Sequence, residues 1–170
     1  SVTQSANPIT QRWSDSWGFQ WNGSTNADEK IDFLRLQSDA DFTKTIGVKL
    51  VEGRDIDVYQ FQTDSTAIVL NQSAVKAMRL KDPIGTLISQ AGDSIQFHVV
   101  GVIQDFVIES PFQQKVNPLM VCGPGQMFAQ VLHIKLNPDK STKAAIAGVE
   151  AIFKKYNPQY PFEYVFADES

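Results

Sequence analysis

The stretch FHVVGVIQDFVIESPF, residues 97–112, decides the fold that we predict for this chain. In its first part, residues 99–103, both alternating faces are apolar, which is typical of an interior strand covered on each side. Gly101 has no side chain within this run, so another backbone or a ring can approach closely there. Asp105, directly after the strand, is interpreted as a turn or cap residue that accepts hydrogen bonds from backbone N–H groups. A catalytic acid or base is the alternative at this position.

The segments on either side predict an α+β fold, in which a few helices pack on a mixed, mainly antiparallel sheet. Apolar or alternating runs bounded by Gly, Pro or polar turns indicate the other strands. These runs are residues 31–36, 48–51, 67–70, 86–89, 119–121, 131–136 and 161–166. In the run 131–136, His133 falls on the polar face. The pattern leaves open whether the chain forms one lobe or two.

Helix signals mark three segments. The clearest helix is predicted over residues 138–156, with Asn137 as its cap and an apolar stripe that is interpreted as core packing. A second helix is expected directly after Asn71, which would cap it. A short third helix is expected to be capped by Asp39 or Asp41.

Composition limits the classes of function. The chain has 170 residues, of which 42% are hydrophobic and 20% charged, enough for one domain or two small lobes. Its formal net charge is -4 and no cluster of Lys and Arg occurs, so nucleic-acid binding is disfavoured. No apolar run is long enough for a membrane helix. Because the chain begins with Ser1 and ends at Ser170 directly after a strand-like pattern, we expect it to be a domain excised from a longer protein.

Few residues suggest chemistry. His98 and His133 lie on separate predicted strands without metal-ligand spacing, and no GxSxG, HExxH, P-loop or GxGxxG motif occurs. Cys122, the single cysteine, lies in an apolar run and is interpreted as a buried, unreactive thiol. Arg54 is interpreted as a structural ion-pair partner. The sequence therefore predicts neither an enzyme nor a cofactor.

Several short motifs follow one another from about Ile31 to the end of the chain. Their residues are Gly53, Arg54, Asn71, Pro83, Gly85, Gly101, Asp105, Phe106, Pro118, Pro161, Phe162, Asp168 and Glu169. In this order and spacing they resemble the extracytoplasmic core domain of MacB/FtsX-type ABC transporter permeases, most closely the large permease set of Bacteroidetes. The chain departs from that pattern at Gln72, Val107 and Ala167, where the family often has Glu, His and Leu. We assign no role to those positions.

The resemblance implies a location and a way of working. In that family the domain lies outside the inner membrane, between two transmembrane helices of the permease, and commonly has a membrane-near α/β lobe and a smaller β-rich lobe. It is not catalytic. A cytoplasmic ATPase subunit or domain hydrolyses ATP, and the permease, expected to be a dimer, passes the motion to a periplasmic substrate or adaptor protein.

Two further expectations concern surfaces. If both ends of the domain are rooted in the membrane, residues 2–10 should lie close to residues 162–166. The aromatic residues Trp13, Trp17 and Trp21 are interpreted first as a core face, because Trp17 and Trp21 share the alternation of a strand with Phe19. They are also the candidate partner surface, together with the loop of Gly123, Pro124 and Gly125.

Two alternative functions stay open at this point. A ligand-binding or sensory module would use the aromatic segment as a pocket for a peptide or glycan. An enzyme with an unfamiliar site would bring Asp105, Glu109 and His98 together in a cleft.

Overall fold

The computed structural model describes residues 1–9, 15–106, 116–125 and 130–167, with Asp15 in its backbone only. The chain divides into two units, Ser1–Ile134 and Lys135–Ser170, which we describe separately. The strands are β1 (Val2–Ser5), β2 (Asp15–Ser16), β3 (Phe19–Trp21), β4 (Phe33–Gln37), β5 (Leu50–Gly53), β6 (Ala67–Asn71), β7 (Leu87–Gln90), β8 (Gln96–Ile103), β9 (Leu119–Cys122) and β10 (Val131–Ile134). The helices are α1 (Phe42–Ile46), α2 (Gln72–Ala77) and α3 (Thr142–Tyr156), and 3-10 turns cover Asp28–Lys30 and Gln62–Thr66.

The larger sheet of the first unit runs in the order β2-β4-β9-β6-β8-β7-β3, and β5 also pairs with β8. Its strand pairs are antiparallel except for β4–β9 and β6–β8, which are parallel. The strands β2 and β3 lie at opposite ends of this order, although only Trp17 and Gly18 separate them in the sequence. The sheet therefore curls until its ends meet. This architecture confirms the predicted α+β fold with a mixed sheet.

The strands β6 and β8 form the centre of the sheet. Successive residues of β6 alternate between two buried apolar clusters, with Ala67 and Val69 in one and Ile68 and Leu70 in the other. The residues of β8 divide in the same way, and Gly101 is buried among them. The structure thus confirms that this strand is interior and covered on both sides.

In each helix of the first unit, a side chain from outside the helix accepts one of its first backbone N–H groups. Asn71 caps α2, because its Oδ1 accepts the N–H of Ala74 at 2.8 Å, as predicted. The predicted cap of α1 is confirmed in its position only: Asp41 is the N-cap residue, but it has a left-handed conformation (φ 54°) and makes no side-chain cap bond. Asp55 supplies the missing acceptor from outside the helix, binding the N–H and hydroxyl of Thr43 at 2.7 and 2.8 Å.

The strands β1 and β10 pair with each other in a separate antiparallel ribbon. The predicted faces of β10 were wrong, because Leu132 is 55% exposed whereas His133 is half-buried. Ser5, on the neighbouring strand, is buried and lies 2.8 Å from Nε2 of His133. A buried polar partner on β1 therefore lets the imidazole take the covered face.

The second unit contains α3 and the segment that follows it. The predicted helix start was wrong: α3 begins at Thr142, with Ser141 as its cap, and Asn137 instead accepts the N–H of Asp139 in a turn. Residues 161–166 do not form the predicted strand. The rings of Phe162, Tyr164 and Phe166 instead contact one another in series, with centroids 5.7 and 5.5 Å apart. Phe162 also contacts Phe153 of α3, with ring centroids 5.6 Å apart.

The apolar stripe of α3 is only partly covered. Ile146, Val149 and Phe153 are half-buried, whereas Ile152 and Tyr156 are 63% and 72% exposed. The interpretation of the whole stripe as core packing was therefore wrong at its exposed positions. The expected membrane-near and β-rich lobes, and the expected proximity of residues 2–10 and 162–166, stay predictions.

Candidate functional site

Arg54, at the end of β5, is joined to Asp64 by two parallel hydrogen bonds. Its Nη1 donates to Oδ2 at 2.5 Å and its Nη2 donates to Oδ1 at 2.8 Å. The Asp64 side chain is completely buried and the Arg54 side chain is 38% exposed. The N–H of Asp57 also donates to Oδ2, at 2.9 Å, and the guanidinium lies 4.0 Å from the centroid of the Phe61 ring. The interpretation of Arg54 as a structural ion-pair partner is confirmed.

The surroundings keep this pair charged. Burial alone would raise the pKa of Asp64, but the hydrogen bonds from Arg54 and Asp57 hold it below its ordinary value. The hydrogen bonds that Arg54 donates to Asp64 raise the pKa of the guanidinium in turn. Such a bidentate, charge-assisted pair fixes both side chains in direction as well as in distance.

Two glycines let the backbone close around the ion pair. A Cβ on Gly101 would overlap the carbonyl oxygen of Arg54, and a Cβ on Gly123 would overlap that of Asp64. The N–H of Arg54 also donates to Val100 at 2.9 Å, which ties it to β8. The close backbone approach predicted at Gly101 is therefore present, and its partner is the residue that carries the guanidinium.

Asp105 and Asn71 tie three segments together at the start of α2. Asp105 accepts the N–H of Ser73 at 2.8 Å and its hydroxyl at 2.7 Å, which confirms its interpretation as a cap residue. Asn71 also accepts the N–H of Leu119 at 2.9 Å and donates to the carbonyl of Asn117 at 3.0 Å. The beginning of one helix thus holds the end of β8 and the beginning of β9.

The other motif residues of the first unit lie at turns and strand ends. Gly53 and Gly85 have positive φ angles of 73° and 82°. Pro83 is buried in the turn before β7, and the carbonyl of Pro118 accepts the N–H of Leu34 at 2.9 Å. Phe106 lies beside Phe42, with ring centroids 6.5 Å apart. In the second unit Pro161 is exposed and Phe162 is half-buried, while Asp168 and Glu169 lie outside the described residues.

Comparison with known proteins identifies the family. Residues 3–152 match the sequence model of the MacB-like periplasmic core domain. The chain belongs to this family. It is thus the extracytoplasmic domain of a MacB-like ABC transporter permease. No match was found among curated proteins.

Two solved structures share the fold of this MacB-like domain. The periplasmic region of MacB from Actinobacillus actinomycetemcomitans is 16% identical, with a TM-score of 0.64 over 99% of this chain and 72% of that one. The extracellular domain of YknZ, a noncanonic ABC-type transporter from Gram-positive bacteria, is 10% identical, with a TM-score of 0.59 over 94% and 76%. At these identities the likeness concerns the fold alone.

The structure separates the candidate partner residues of this MacB-like domain. Trp17 is 65% exposed, whereas Trp21 is 7% exposed and its Nε1 donates to the carbonyl of Met78 at 3.1 Å. Trp21 therefore belongs to the core rather than to a partner surface, and Trp13 lies outside the described residues. In the loop after β9, Gly123 is buried and its N–H donates to the carbonyl of Ala67 at 2.8 Å.

Pro124 and Gly125, the other two loop candidates, are more accessible. Pro124 is half-buried and Gly125 is exposed. The N–H of Gly125 donates to the carbonyl of Ser65 at 3.0 Å, so the loop is tied to the 3-10 turn that carries Asp64. Among the candidates that the structure describes, Trp17, Pro124 and Gly125 are accordingly the ones that reach solvent.

The residues of the enzyme hypothesis do not converge where the structure describes them. Asp105 lies beyond the far end of β8 from His98, and the six strand residues from His98 to Ile103 span roughly 16 Å. Glu109 lies outside the described residues. Within the described ranges, His, Cys, Asp and Glu side chains form no group of three or more that could hold a metal. In the same ranges no helix has the length and apolar character of a membrane span.

Cys122 matches its interpretation. It is 1% exposed, and burial raises the pKa of its thiol.

Sequence reasoning missed two carboxylates: Asp64, the partner of Arg54, and Asp28, which is held bidentately by Arg79 at 2.7 and 2.9 Å. No local motif marks either one, because each partner is brought in by the fold.

Proposed function

We propose that this domain couples ATP hydrolysis in the cytoplasm to the movement of an extracytoplasmic substrate or partner, without catalysing a reaction itself. The observation that carries the proposal is the family match over residues 3–152, which makes the chain part of an ABC transporter permease. The permease would sit in the inner membrane and work with an ATPase subunit or domain. Efflux, export and signalling by mechanotransmission are all compatible with this role.

The packing of the first unit supports the proposal that this unit moves as a rigid body. A coupling domain must transmit displacement without deforming, and interiors packed at crystal-like density have low compressibility. The central strands β6 and β8 are buried on both faces, and the charged pair of Arg54 and Asp64 ties the loops around them. The exposed Trp17 and Gly125, together with the half-buried Pro124, would then present the surface that meets a substrate or adaptor protein.

The test uses the full-length permease with its ATPase in lipid nanodiscs. A donor fluorophore is attached at Lys76→Cys, an exposed position on α2, and acceptor lipids mark the bilayer. We expect energy transfer between domain and bilayer to change between the nucleotide-free state and the state trapped with ATP and vanadate. An ATPase variant that does not bind ATP is the control. Continuous ATP turnover with unchanged energy transfer in every nucleotide state would rule out the coupling role.

The partner surface is tested in the same permease. Trp17→Ala removes the exposed ring and leaves the core untouched, so the ATP-dependent domain movement should persist while transport falls. The matched control is Tyr160→Ala, another exposed aromatic residue, at 68% exposure, in the second unit. Transport that is equal in the two variants would remove Trp17 from the partner surface.

A further inference from the structure

The strand β1 is the first described element of the chain, yet it is not part of the larger sheet. Its strand partner is β10, and within the described residues neither of the two is paired with a strand of the larger sheet. Side chains must therefore join this ribbon to the rest of the first unit. Two of them are almost completely buried: Thr3 at 1% and Ser38 at 0% exposure, with their Oγ atoms 2.8 Å apart.

A single carboxylate, Asp39, gathers the bonds at this junction. Its Oδ1 accepts the hydroxyl of Thr3 at 3.1 Å and the N–H groups of Gln4 and Ala40 at 2.8 Å each. Its Oδ2 accepts the hydroxyl of Tyr59 at 2.8 Å. The bond to Gln4 holds the backbone of β1 itself, so the carboxylate grips the strand and not only a side chain.

The side chain of Asp39 is ionised at this junction. Partial burial would raise the pKa of Asp39, but the hydrogen bonds from Gln4, Tyr59, Ala40 and Thr3 hold it below its ordinary value. Bonds to an ionised acceptor are roughly twice as strong as bonds between neutral groups.

The contacts continue from Asp39 into the larger sheet. The carbonyl of Asp39 accepts the N–H of Val58 at 3.1 Å, and Ala40 forms an isolated bridge with Asp57. The N–H of Asp57 in turn binds Asp64, the buried partner of Arg54. Hydrogen bonds joined through neighbouring residues therefore lead from β1 to Arg54, which directly follows β5 and donates its N–H to Val100 of β8.

From this geometry we infer that Asp39 is a latch, which fastens β1 to the larger sheet so that force arriving through β1 moves the first unit as one body. The inference rests on the proposed coupling function, in which the chain leading to β1 connects the domain to the membrane. Without the latch, force on β1 would peel the ribbon of β1 and β10 away from the sheet.

The latch is tested first by hydrogen exchange on the 170-residue chain. Asp39→Ala should accelerate exchange of the β1 amides on the order of 100-fold, because several bonds are lost, and Tyr59→Phe about fivefold, because one is lost. Tyr156→Phe is the matched control, since Tyr59 and Tyr156 are 73% and 72% exposed, and it should change nothing. The amides of β6 should keep their protection throughout. Equal acceleration in β1 and β6, or no acceleration in β1, would overturn the latch.

A disulfide provides the rescue experiment. Thr3→Cys with Ser38→Cys places two thiols where the hydroxyl oxygens now lie 2.8 Å apart. Both proteins of this experiment also carry Cys122→Ala, because Cys122 neighbours Ser38 and its thiol could compete for the disulfide. In the Asp39→Ala background, oxidation should restore slow exchange of the β1 amides, and a reductant should reverse this. Failure of the oxidised form to restore protection would show that Asp39 does not act by fastening β1.

The functional arm uses the full-length permease, with spin labels at Val2→Cys on β1 and Lys76→Cys on α2. With Asp39 in place, we expect the distance between the two labels to be the same with and without ATP and vanadate. When Asp39 is replaced by Ala, we expect that distance to change when the permease is trapped with ATP and vanadate. If the proposed coupling function is wrong, trapping shifts neither protein, while the exchange result still stands. If the latch is wrong, the exchange result fails whatever the permease does.

Discussion

Replacing Asp64 by Asn should be among the most damaging conservative changes in this domain. The shape of the side chain is kept, but one of its oxygen atoms becomes an NH₂ group. The carbonyl of the introduced amide can still accept the N–H of Asp57 and one N–H of Arg54, which now share Oδ2. The NH₂ group then faces the second guanidinium nitrogen, donor against donor, inside a site without solvent at the carboxylate.

The cost follows from the bonds that change. One charge-assisted hydrogen bond is lost outright, which costs about 1.5–3 kcal/mol, and two others weaken from charged to neutral, at about 0.5 kcal/mol each. The guanidinium of Arg54 is 38% exposed, so water replaces part of what it loses. We expect the free energy of unfolding to fall by about 3 kcal/mol.

The assay is urea unfolding of the 170-residue chain at pH 7.5, followed by circular dichroism. The control is Asp41→Asn, the same substitution in an exposed pair 3.7 Å from Lys44, which should cost less than about 0.5 kcal/mol. Because the folded pKa of Asp64 is lowered, its contribution is complete above its ordinary value of 3.8 and is lost as the pH falls towards the folded value. The deficit of Asp64→Asn should therefore shrink below about pH 4. A loss under about 1 kcal/mol at pH 7.5, or equal losses in the two variants, would refute the reasoning.

Three further predictions concern other parts of the chain. Gly101→Ala should destabilise the fold by about 3 kcal/mol or more in the same urea assay, because the new Cβ overlaps the Arg54 carbonyl, whereas Gly148→Ala in the open interior of α3 should stabilise by up to about 1 kcal/mol. Similar effects of the two would contradict the close approach. Burial lowers the folded pKa of His133 below 6.5, so its contribution is complete above pH 6.5 and is lost as the pH falls through the folded pKa. Urea unfolding should accordingly show a smaller stability loss between pH 7.5 and 5.5 in His133→Gln, and an unchanged loss would contradict this. Cys122 should react with a thiol reagent only in denaturant, and rapid reaction of the folded chain would contradict its burial.

The sequence was sufficient where local chemistry decides the structure. The apolar run of β8 and the cap at Asn71 were predicted, because each depends on neighbours within a few positions or on burial itself. Asp105 was predicted as a turn or cap residue, although the helix start that it binds, at Ser73, lies 32 residues away in the sequence. The backbone approach at Gly101 was expected, although its partner was not. The family resemblance likewise rested on short motifs, and several of their described residues, such as Gly85, Asn71 and Gly101, occupy turns, caps and close approaches in the structure.

Predictions failed where distant segments decide. His133 takes the covered face because Ser5, from the other end of the first unit, lies beside it. Asp39 was considered only as a helix cap, since nothing in its neighbourhood reveals that Thr3 and Tyr59 will reach it. One failure was local: the side chain of Asn137 binds the backbone N–H two residues on, and this turn takes the place of the predicted helix start.

The order of strands in the larger sheet also sets how this domain must fold. The strand β9 lies between β4 and β6, although both precede it in the chain. Likewise, Val2 of β1 pairs with Ile134 of β10, which comes much later in the sequence. Until β9 pairs with them, β4 and β6 each have one unpaired edge. Unpaired strand edges can pair with strands of other chains. Contacts between residues so far apart in sequence form slowly. The chain loses the entropy of a long loop before the strand pairing contributes any stabilisation. We therefore expect the sheet to be completed from its middle by the late insertion of β9, and β1 to be among the last of the described strands to pair.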